Sequence, residues 1–351
     1  MAFHDIVGHE RAVAFLRRAI ASGRAGASLI FHGPEGVGRR ATAIALAQAL
    51  NCPDKPGDGC GRCGVCARIA HVERGKVEEG EHKGDNREFT HHADVHIAIP
   101  GKEEIRIDEI RSIRDLAQRR PFEGRRSVFI IDPAERMTPE AANALLKTLE
   151  EPPPTSCIVL IASDPDALLP TVRSRCRFVA FHPVPVPIVE KHLIEAARMD
   201  PADAALVASL TAGRVGRALS FDLAAYRDHR GAILDLLGRI VEKRPRAHIL
   251  EDAESLGSRG DDADVEASFE ILETLVRDAM ILHVRGASAR IVNEDVGEPL
   301  RRIAEAIGDR IPNAMRRIAE ARRDLAWNVN RQLLVEVLLL DLALPEGVAL
   351  A

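Results

Sequence analysis

Five short apolar runs in the N-terminal half of the chain alternate with longer segments of helical character. The runs are rich in β-branched residues and are closely followed by Gly, Pro or Asp, which is typical of buried parallel strands. They span residues 28–32, 94–99, 127–131, 157–162 and 177–181. Strands that alternate with helices predict an α/β domain built on a parallel sheet.

Two helices between these strands carry clear signals. In the first, apolar residues recur at every third position along one face: Ile107, Ile110, Ile113 and Leu116. The second is expected to begin after Thr138, whose side chain can cap the first turn, with Pro139 at the first helical position. Both helices fill connections between predicted strands, as parallel pairing requires.

Beyond the last predicted strand the chain shows only helical periodicity. The segment 182–187 (HPVPVP) breaks the pattern and predicts a linker, and a short helical unit over 188–220 follows it. The remaining residues predict a longer, all-helical region. We therefore expect three domains: an α/β domain over 1–182, a small helical domain over 183–221 and an all-helical domain over 222–351.

Composition narrows the class of protein. The 351 residues include 48 basic and 53 acidic side chains, a formal net charge of −5, which excludes a generally basic nucleic-acid binder. Ten Phe, one Tyr and one Trp argue against stacking platforms for single-stranded nucleic acid. No apolar run reaches the roughly 20 residues that cross a bilayer, and the N-terminus lacks the pattern of a secretory signal. We expect a cytoplasmic protein whose cysteines are thiols or metal ligands.

A glycine-rich turn between the first strand and an apolar helix predicts a phosphate-binding loop, with Gly33 and Gly38 at the required positions. The next two positions normally hold a Lys that reaches the phosphates and a Ser or Thr that ligates Mg²⁺. Here they hold Arg39, whose head is larger and planar, and Arg40, which would repel the metal. Loop geometry without hydrolysis is the favoured interpretation; competent ATP turnover and a purely structural turn remain alternatives.

The acidic motif that follows the predicted strand 127–131 also departs from the pattern of an active nucleotidase. In working nucleotidases an Asp at the end of this strand orients Mg²⁺, and the next residue, commonly Glu, activates water. Asp132 is present, but Pro133 follows it and has no acid or base. Glu135 lies three residues on and is expected to point elsewhere. The pattern predicts that this chain does not hydrolyse ATP.

Four of the six cysteines form a cluster: Cys52, Cys60, Cys63 and Cys66. Their spacing, C-x7-C-x2-C-x2-C in a Gly- and Pro-rich stretch, predicts a closed, structural Zn²⁺ site, because four thiolates leave no open position on the metal. An iron–sulfur cluster and a redox dithiol are the alternatives. A nearby polar stretch, 67–93, holds or adjoins histidines 71, 82, 91, 92 and 96 and is interpreted as an exposed insertion, not a second metal site.

Three arginines alternate just before the last predicted strand, at positions 173, 175 and 177. In an extended segment they would share one side of the chain. A charged sheet edge and an arginine supplied to a phosphate on another molecule are both compatible with this spacing.

Several segments together are similar to the bacterial clamp-loader subunits of the AAA+ family, and among them to the delta-prime family of DNA polymerase III. They are ANALLKTLEEPP at 142–153, the triplet Ser174-Arg175-Cys176, the four-cysteine insertion and WNVNRQLLVEVLLL at 327–340. The resemblance covers nearly the whole chain. It implies an α/β AAA+ domain with a zinc module, a helical lid, and a helical collar that joins five subunits in a ring.

The resemblance also implies roles for particular residues. In the family the arginine of the S-R-C triplet reaches the nucleotide site of an adjacent ATPase subunit, which assigns that role to Arg175, flanked by Ser174 and Cys176. ATPase members keep an intact loop and acid pair, whereas the delta-prime member does not, in agreement with Arg39 and Arg40. Gly216 stands where the ATPase relatives carry a nucleotide-sensing Arg.

The function implied is that of an ATPase-inactive subunit that helps to load the sliding clamp on primer–template DNA during replication. Its expected partners are the gamma/tau ATPase subunits, the delta subunit, the clamp and, through the assembled complex, DNA. Structural Zn²⁺ is the expected cofactor, and no independent catalysis is expected. The alternatives are a self-sufficient ATPase of the gamma/tau type, using Arg39 in place of Lys, and a zinc-dependent DNA-binding module, which the acidic balance disfavours.

Overall fold

A computed structural model of the chain describes most of its residues. The described ranges are 2–23, 28–76, 86–100, 104–242, 251, 253–254, 262–286, 288–325 and 329–343. The chain forms two compact units, Met1–Phe221 and Asp222–Ala351. The finer division of the first unit at residue 182 remains a prediction.

A seven-stranded sheet forms the centre of the first unit, in the order β2-β3-β4-β5-β6-β1-β7. The strands are β1 (Leu29–His32), β2 (Val72–Lys76), β3 (Asn86–Thr90), β4 (Val95–Ala98), β5 (Ser127–Ile131), β6 (Ser156–Ala162) and β7 (Arg177–Ala180). Strands β4, β5, β6, β1 and β7 pair in parallel. These are the five strands that the apolar runs predict, with ends that differ by at most one residue, and the α/β fold class with a parallel sheet is confirmed.

An antiparallel hairpin at one edge of the sheet was not expected from the sequence. Strand β2 pairs with β3, and β3 pairs with β4, within the stretch that was interpreted as an exposed insertion. Both strands are rich in charged residues and lack an apolar alternation, so pattern analysis does not detect them. The exposed interpretation is also wrong for His92, whose side chain is buried; His82 lies outside the described residues.

Helices cover both faces of the sheet. They are α1 (Glu10–Ala21), α2 (Arg39–Asn51), α3 (Gly64–Ala70), α4 (Ile107–Ala117), α5 (Pro139–Glu150) and α6 (Pro170–Arg173). One apolar core lies under α1 and α2 and another under α4 and α5. The predicted cap is confirmed, since the Thr138 hydroxyl accepts a hydrogen bond from the Ala141 amide at 3.2 Å with Pro139 at the first helical position.

Three short helices complete the first unit: α7 (Val186–Glu195), α8 (Pro201–Leu210) and α9 (Val215–Leu219). The predicted linker is therefore shorter than expected, because Val186 already begins α7. Its early prolines suit this position, since a first-turn residue needs no amide hydrogen.

Among its described residues the second unit contains helices and the turns that join them but no strand, as predicted. Its longer helices are α10 (Leu223–Val241), α11 (Asp262–Arg285), α12 (Gly297–Ile307), α13 (Ile311–Leu325) and α14 (Arg331–Ala343). They pack around one aliphatic core in which Phe269 is the large aromatic side chain. Among the described residues, no helix combines the length and apolarity needed to span a membrane.

The turn before β5 is fixed by a buried carboxylate. Asp94 accepts hydrogen bonds from the backbone amides of Phe122, Glu123 and Gly124 at 2.6, 2.9 and 2.7 Å. Burial alone would raise the pKa of Asp94, but these amide donors outweigh it and hold the pKa below its usual value. A Cβ at Gly124 would lie 2.6 Å from the Asn51 side-chain oxygen, so the turn requires glycine there.

Replacing Asp94 by Asn should loosen this turn, because a neutral amide oxygen is a weaker acceptor and its NH₂ group cannot accept. The expected cost is about 1–3 kcal/mol. Hydrogen exchange of the whole chain, followed by mass spectrometry, should show faster exchange at residues 122–124. The exposed Asp115→Asn is the matched control and should leave this segment unchanged; equal protection in Asp94→Asn would contradict the assignment.

Candidate functional sites

The glycine-rich loop lies where the predicted phosphate loop belongs, between β1 and α2. Gly33 has a φ of +137°, and a Cβ there would lie 2.0 Å from the Phe181 carbonyl oxygen, which follows β7. Gly38 has a φ of +109° and precedes the first turn of α2. The loop therefore keeps its shape, and close backbone packing is itself enough to require Gly33.

Arg39 points back into the protein. Its side chain is buried and donates a hydrogen bond from Nη2 to the Ser163 hydroxyl at 3.1 Å. The other terminal nitrogen, Nη1, has no hydrogen-bond partner among the described residues. Burial lowers the pKa of this guanidinium. Arg39 and Ser163 line a cavity of about 570 Å³ at the edge where the parallel strands end.

Arg40 pairs with the carboxylate that would hold a metal. Its Nη1 lies 3.6 Å from Oδ2 of Asp132, and both residues line the same cavity as Arg39. Burial raises the pKa of Asp132, while the positive charges of Arg40 and Arg39 oppose that rise. A guanidinium thus stands beside the acid at the place where Mg²⁺ would need an oxygen ligand.

Glu135 corrects the sequence prediction, which expected this side chain to point elsewhere. The short 3₁₀ turn Ala134–Arg136 returns it to the cavity of Asp132, where its Oε1 accepts a hydrogen bond from the Ser163 amide at 2.8 Å. Pro133 stands between the two acids. Sequence reasoning also missed Ser163, although a polar residue directly after a buried strand is a usable signal for a site at this edge of the sheet.

The loop is covered by the start of α9. The Gly216 amide donates a hydrogen bond to the Gly36 carbonyl at 2.7 Å, and a Cβ at Gly216 would lie 3.0 Å from that oxygen. A larger residue at this position would have to move the loop or the helix. An apolar cavity of about 280 Å³ lies beside this contact and is lined in part by Ile6, Val7, Val37, Val215 and Leu219.

The four clustered cysteines meet in space, as predicted. Their sulfur atoms all lie within 4.8 Å of one another, with 3.8 Å between Cys52 and Cys63 and 3.9 Å between Cys60 and Cys66. A tetrahedral ion with Zn–S bonds of about 2.3 Å needs sulfur atoms about 3.8 Å apart. The donor set therefore fits a four-coordinate thiolate site.

Backbone amides are directed at this cluster. Amides donate to the sulfurs of Cys52, Cys60 and Cys63 at 3.3, 3.2 and 3.4 Å. Hydrogen bonds from the amides of Arg62 and Cys63 lower the pKa of the Cys60 thiol to about 7. Burial acts in the opposite direction and raises the pKa of the Cys66 thiol to about 12, so the amide donors favour the metal-binding thiolate form at Cys60.

Arg175 is held at the surface by hydrogen bonds. Its Nε donates to Glu150 Oε1 at 2.6 Å, Nη2 pairs with the same carboxylate, and Nη1 donates to the Thr171 carbonyl at 2.8 Å. The side chain remains 32% exposed. Ser174 also accepts from Nη1, at 3.1 Å, whereas Cys176 packs on the core, where burial raises the pKa of its thiol to about 12.

The expectation that the three alternating arginines share one side of an extended segment is wrong. Arg173 ends the short helix α6 and pairs with Asp166 at 2.7 Å, whereas Arg175 pairs with Glu150. The helical turn rotates these side chains apart. Arg175 and Arg173 therefore have different acidic partners, Glu150 and Asp166.

Comparisons with known proteins place this chain in a family. The family model described as DNA polymerase III, delta subunit, matches residues 8–185, and the model of its C-terminal part matches residues 243–343. DNA polymerase III subunit delta-prime of Bacillus subtilis is 26% identical over 334 residues, 95% of each chain. DNA polymerase III subunit gamma/tau of Mycobacterium bovis is 33% identical over 185 residues, 52% of this chain and 29% of that one.

Among solved structures, a DNA polymerase III gamma subunit-related protein from Thermotoga maritima matches with a TM-score of 0.43 and 21% identity, over 95% of this chain and 98% of that one. The resemblance to the delta-prime subunit is confirmed by a sequence match over 95% of the chain and by the two family models. The chain belongs to the DNA polymerase III delta subunit family.

Proposed function

We propose that this chain is a delta-prime-type subunit of a DNA polymerase III clamp loader, which hydrolyses no ATP itself and supplies Arg175 to ATP bound by a neighbouring subunit. Membership of the family supports the clamp-loader role. The partners are then gamma/tau and delta subunits, the sliding clamp and primer–template DNA. DNA contact would be made to backbone phosphates, because a general loader has no use for sequence readout.

The ion pair of Arg40 with Asp132 supports the absence of hydrolysis. To bind Mg²⁺, Asp132 would have to leave its guanidinium partner, and the cation would then lie next to a fixed positive charge. Repulsion of this kind, a few ångströms apart and partly screened, costs on the order of several kcal/mol. Pro133 adds a second defect, since it cannot activate water.

The position of Arg175 supports its proposed role at the nucleotide site of a neighbouring subunit. Strands β7 and β1 are parallel, so residues that precede β7 lie at the sheet edge opposite to the loop that follows β1. A strand of four residues separates these edges by about 13 Å. Arg175 therefore faces away from the nucleotide site of its own chain and is partly open to a neighbour.

Glu150 prepares this guanidinium for a phosphate. Two guanidinium nitrogens, Nε and Nη2, contact the single oxygen Oε1 and hold the side chain in one orientation, and the carboxylate is itself about half exposed. A triphosphate presented by the adjacent subunit would meet an oriented donor, which stabilises the charge that develops during phosphoryl transfer. Fixing the arginine in advance reduces the entropy lost on contact.

The four cysteines would hold Zn²⁺ in a structural role. With all four positions occupied by thiolates, the ion supplies cross-linking and no open site for substrate. The cluster joins the end of α2 to the start of α3.

The function is tested by Arg175→Ala in a reconstituted clamp loader. ATP turnover stimulated by DNA should fall, by up to about 10³-fold or more at the site that Arg175 serves. Assembly, measured by size exclusion with light scattering, should be unchanged, because the side chain contacts only Glu150, Thr171 and Ser174 among the described residues.

Arg173→Ala is the matched control, since it removes a neighbouring guanidinium of similar exposure, 34%, that pairs with Asp166. It should leave turnover near that of the unmodified loader. Unchanged turnover in Arg175→Ala, or an equal loss in both variants, would contradict the proposed role of Arg175.

Zinc is tested by metal analysis of the purified chain. One equivalent of zinc should be present, and Cys63→Ser should lose it on dialysis, because three thiolates bind more weakly than four. Cys157→Ala, which removes a buried thiol of β6, should retain the full equivalent. Iron with acid-labile sulfide, or retention of zinc in Cys63→Ser, would contradict the assignment.

A further inference from the structure

We propose that His71, Glu73 and His91 form a second metal site, for a divalent transition metal such as Zn²⁺, on the hairpin at the sheet edge. The potential donor atoms of these three side chains lie within 4.8 Å of one another. Nε2 of His71 lies 2.8 Å from Oε1 of Glu73, and Nε2 of His91 lies 3.3 Å from Oε2. This site is separate from the four cysteines and from the proposed role of Arg175.

The backbone of the hairpin brings the three residues together. Val72 pairs with Thr90 across the antiparallel strands, so His71 and His91 stand opposite each other just beyond that pair. Their ring centroids are 4.3 Å apart. Glu73 follows His71 by two residues and therefore lies on the same face of β2. Pairing register and strand period thus fix the cluster on one face.

The spacing suits an ion among the three groups. Zinc bonds to imidazole nitrogen and carboxylate oxygen are about 2.0–2.2 Å long, so ligands of a tetrahedral ion lie about 3.4 Å apart. The 3.3 Å separation of His91 from Glu73 is close to this value, whereas the 2.8 Å separation of His71 from Glu73 would have to lengthen. Rotation of the three exposed side chains would allow this. Their side chains are 56%, 60% and 48% exposed, which leaves room for water at the remaining position.

The donor types select the class of metal. Imidazole ligands suit Zn²⁺, Cu²⁺ and Ni²⁺, whereas Mg²⁺ and Ca²⁺ prefer sites made only of oxygen. The four-cysteine site takes the same ion through sulfur, so the two sites should differ in affinity and in spectrum.

Such an ion would stabilise the contact between the hairpin and the four-cysteine segment, residues 52–66. The His91 amide donates a hydrogen bond to the Arg68 carbonyl at 3.2 Å, and Arg68 lies in α3, the helix that also carries Cys66. A metal bound at His91 would therefore hold the two hairpin strands together at the end where β2 follows α3. Its effect is local stabilisation of this segment.

The site is tested on the full, untagged chain by equilibrium dialysis against Zn²⁺ with metal analysis. Two equivalents should bind, a tight one that resists a mild chelator and a weaker one that the chelator removes. The double variant His71→Ala/His91→Ala should bind only the tight equivalent. Glu73→Gln should weaken the second equivalent by at least about 10-fold, because even the loss of an outer-shell partner costs about 10- to 100-fold in metal affinity.

His4→Ala is the matched control, because His4 is an exposed histidine beside one carboxylate, with Nε2 3.3 Å from Asp5 Oδ1. It should keep both equivalents. Retention of the tight equivalent in every histidine variant shows that the four-cysteine segment is still folded. Binding of one equivalent only by the unmodified chain, or survival of the weaker equivalent in the double variant, would overturn the proposal.

Discussion

Ion pairs between a guanidinium and a carboxylate determine the charge at both ends of the parallel strands. At the carboxyl ends of the strands, Arg40 pairs with Asp132, whose side chain is only 17% exposed. At the amino ends of the strands, Arg175 pairs with Glu150, whose side chain is 47% exposed. The first pair places a positive charge beside the carboxylate that would hold a metal. The second presents an oriented positive charge at the surface, which a phosphate of another molecule can approach.

The phosphate loop keeps its form for reasons that do not involve phosphate. Gly33 is required by the approach of the backbone at Phe181, and Gly36 is bonded through its carbonyl to the Gly216 amide. In an ATPase these glycines leave room for the nucleotide, whereas here they leave room for neighbouring backbone. A chain that has lost the Lys and the hydroxyl of the loop can therefore retain its glycines, because packing alone demands them.

Sequence patterns were sufficient for elements with a strong local signal. The five apolar runs, the Thr138 cap and the cysteine spacing predicted the parallel sheet, a helix start and a clustered donor set. They failed where short turns decide direction: a 3₁₀ turn brings Glu135 into the site, and the end of α6 separates Arg173 from Arg175. Strands β2 and β3 were missed because neither VERGK nor NREFT alternates apolar with polar residues.

The most direct test is steady-state phosphate release from Mg²⁺-ATP by the purified chain alone, compared with its Asp132→Asn variant. If Asp132 holds no catalytic metal, both should show the same background rate, and DNA should not raise it. Sustained phosphate release by the unmodified chain that Asp132→Asn abolishes would contradict the account.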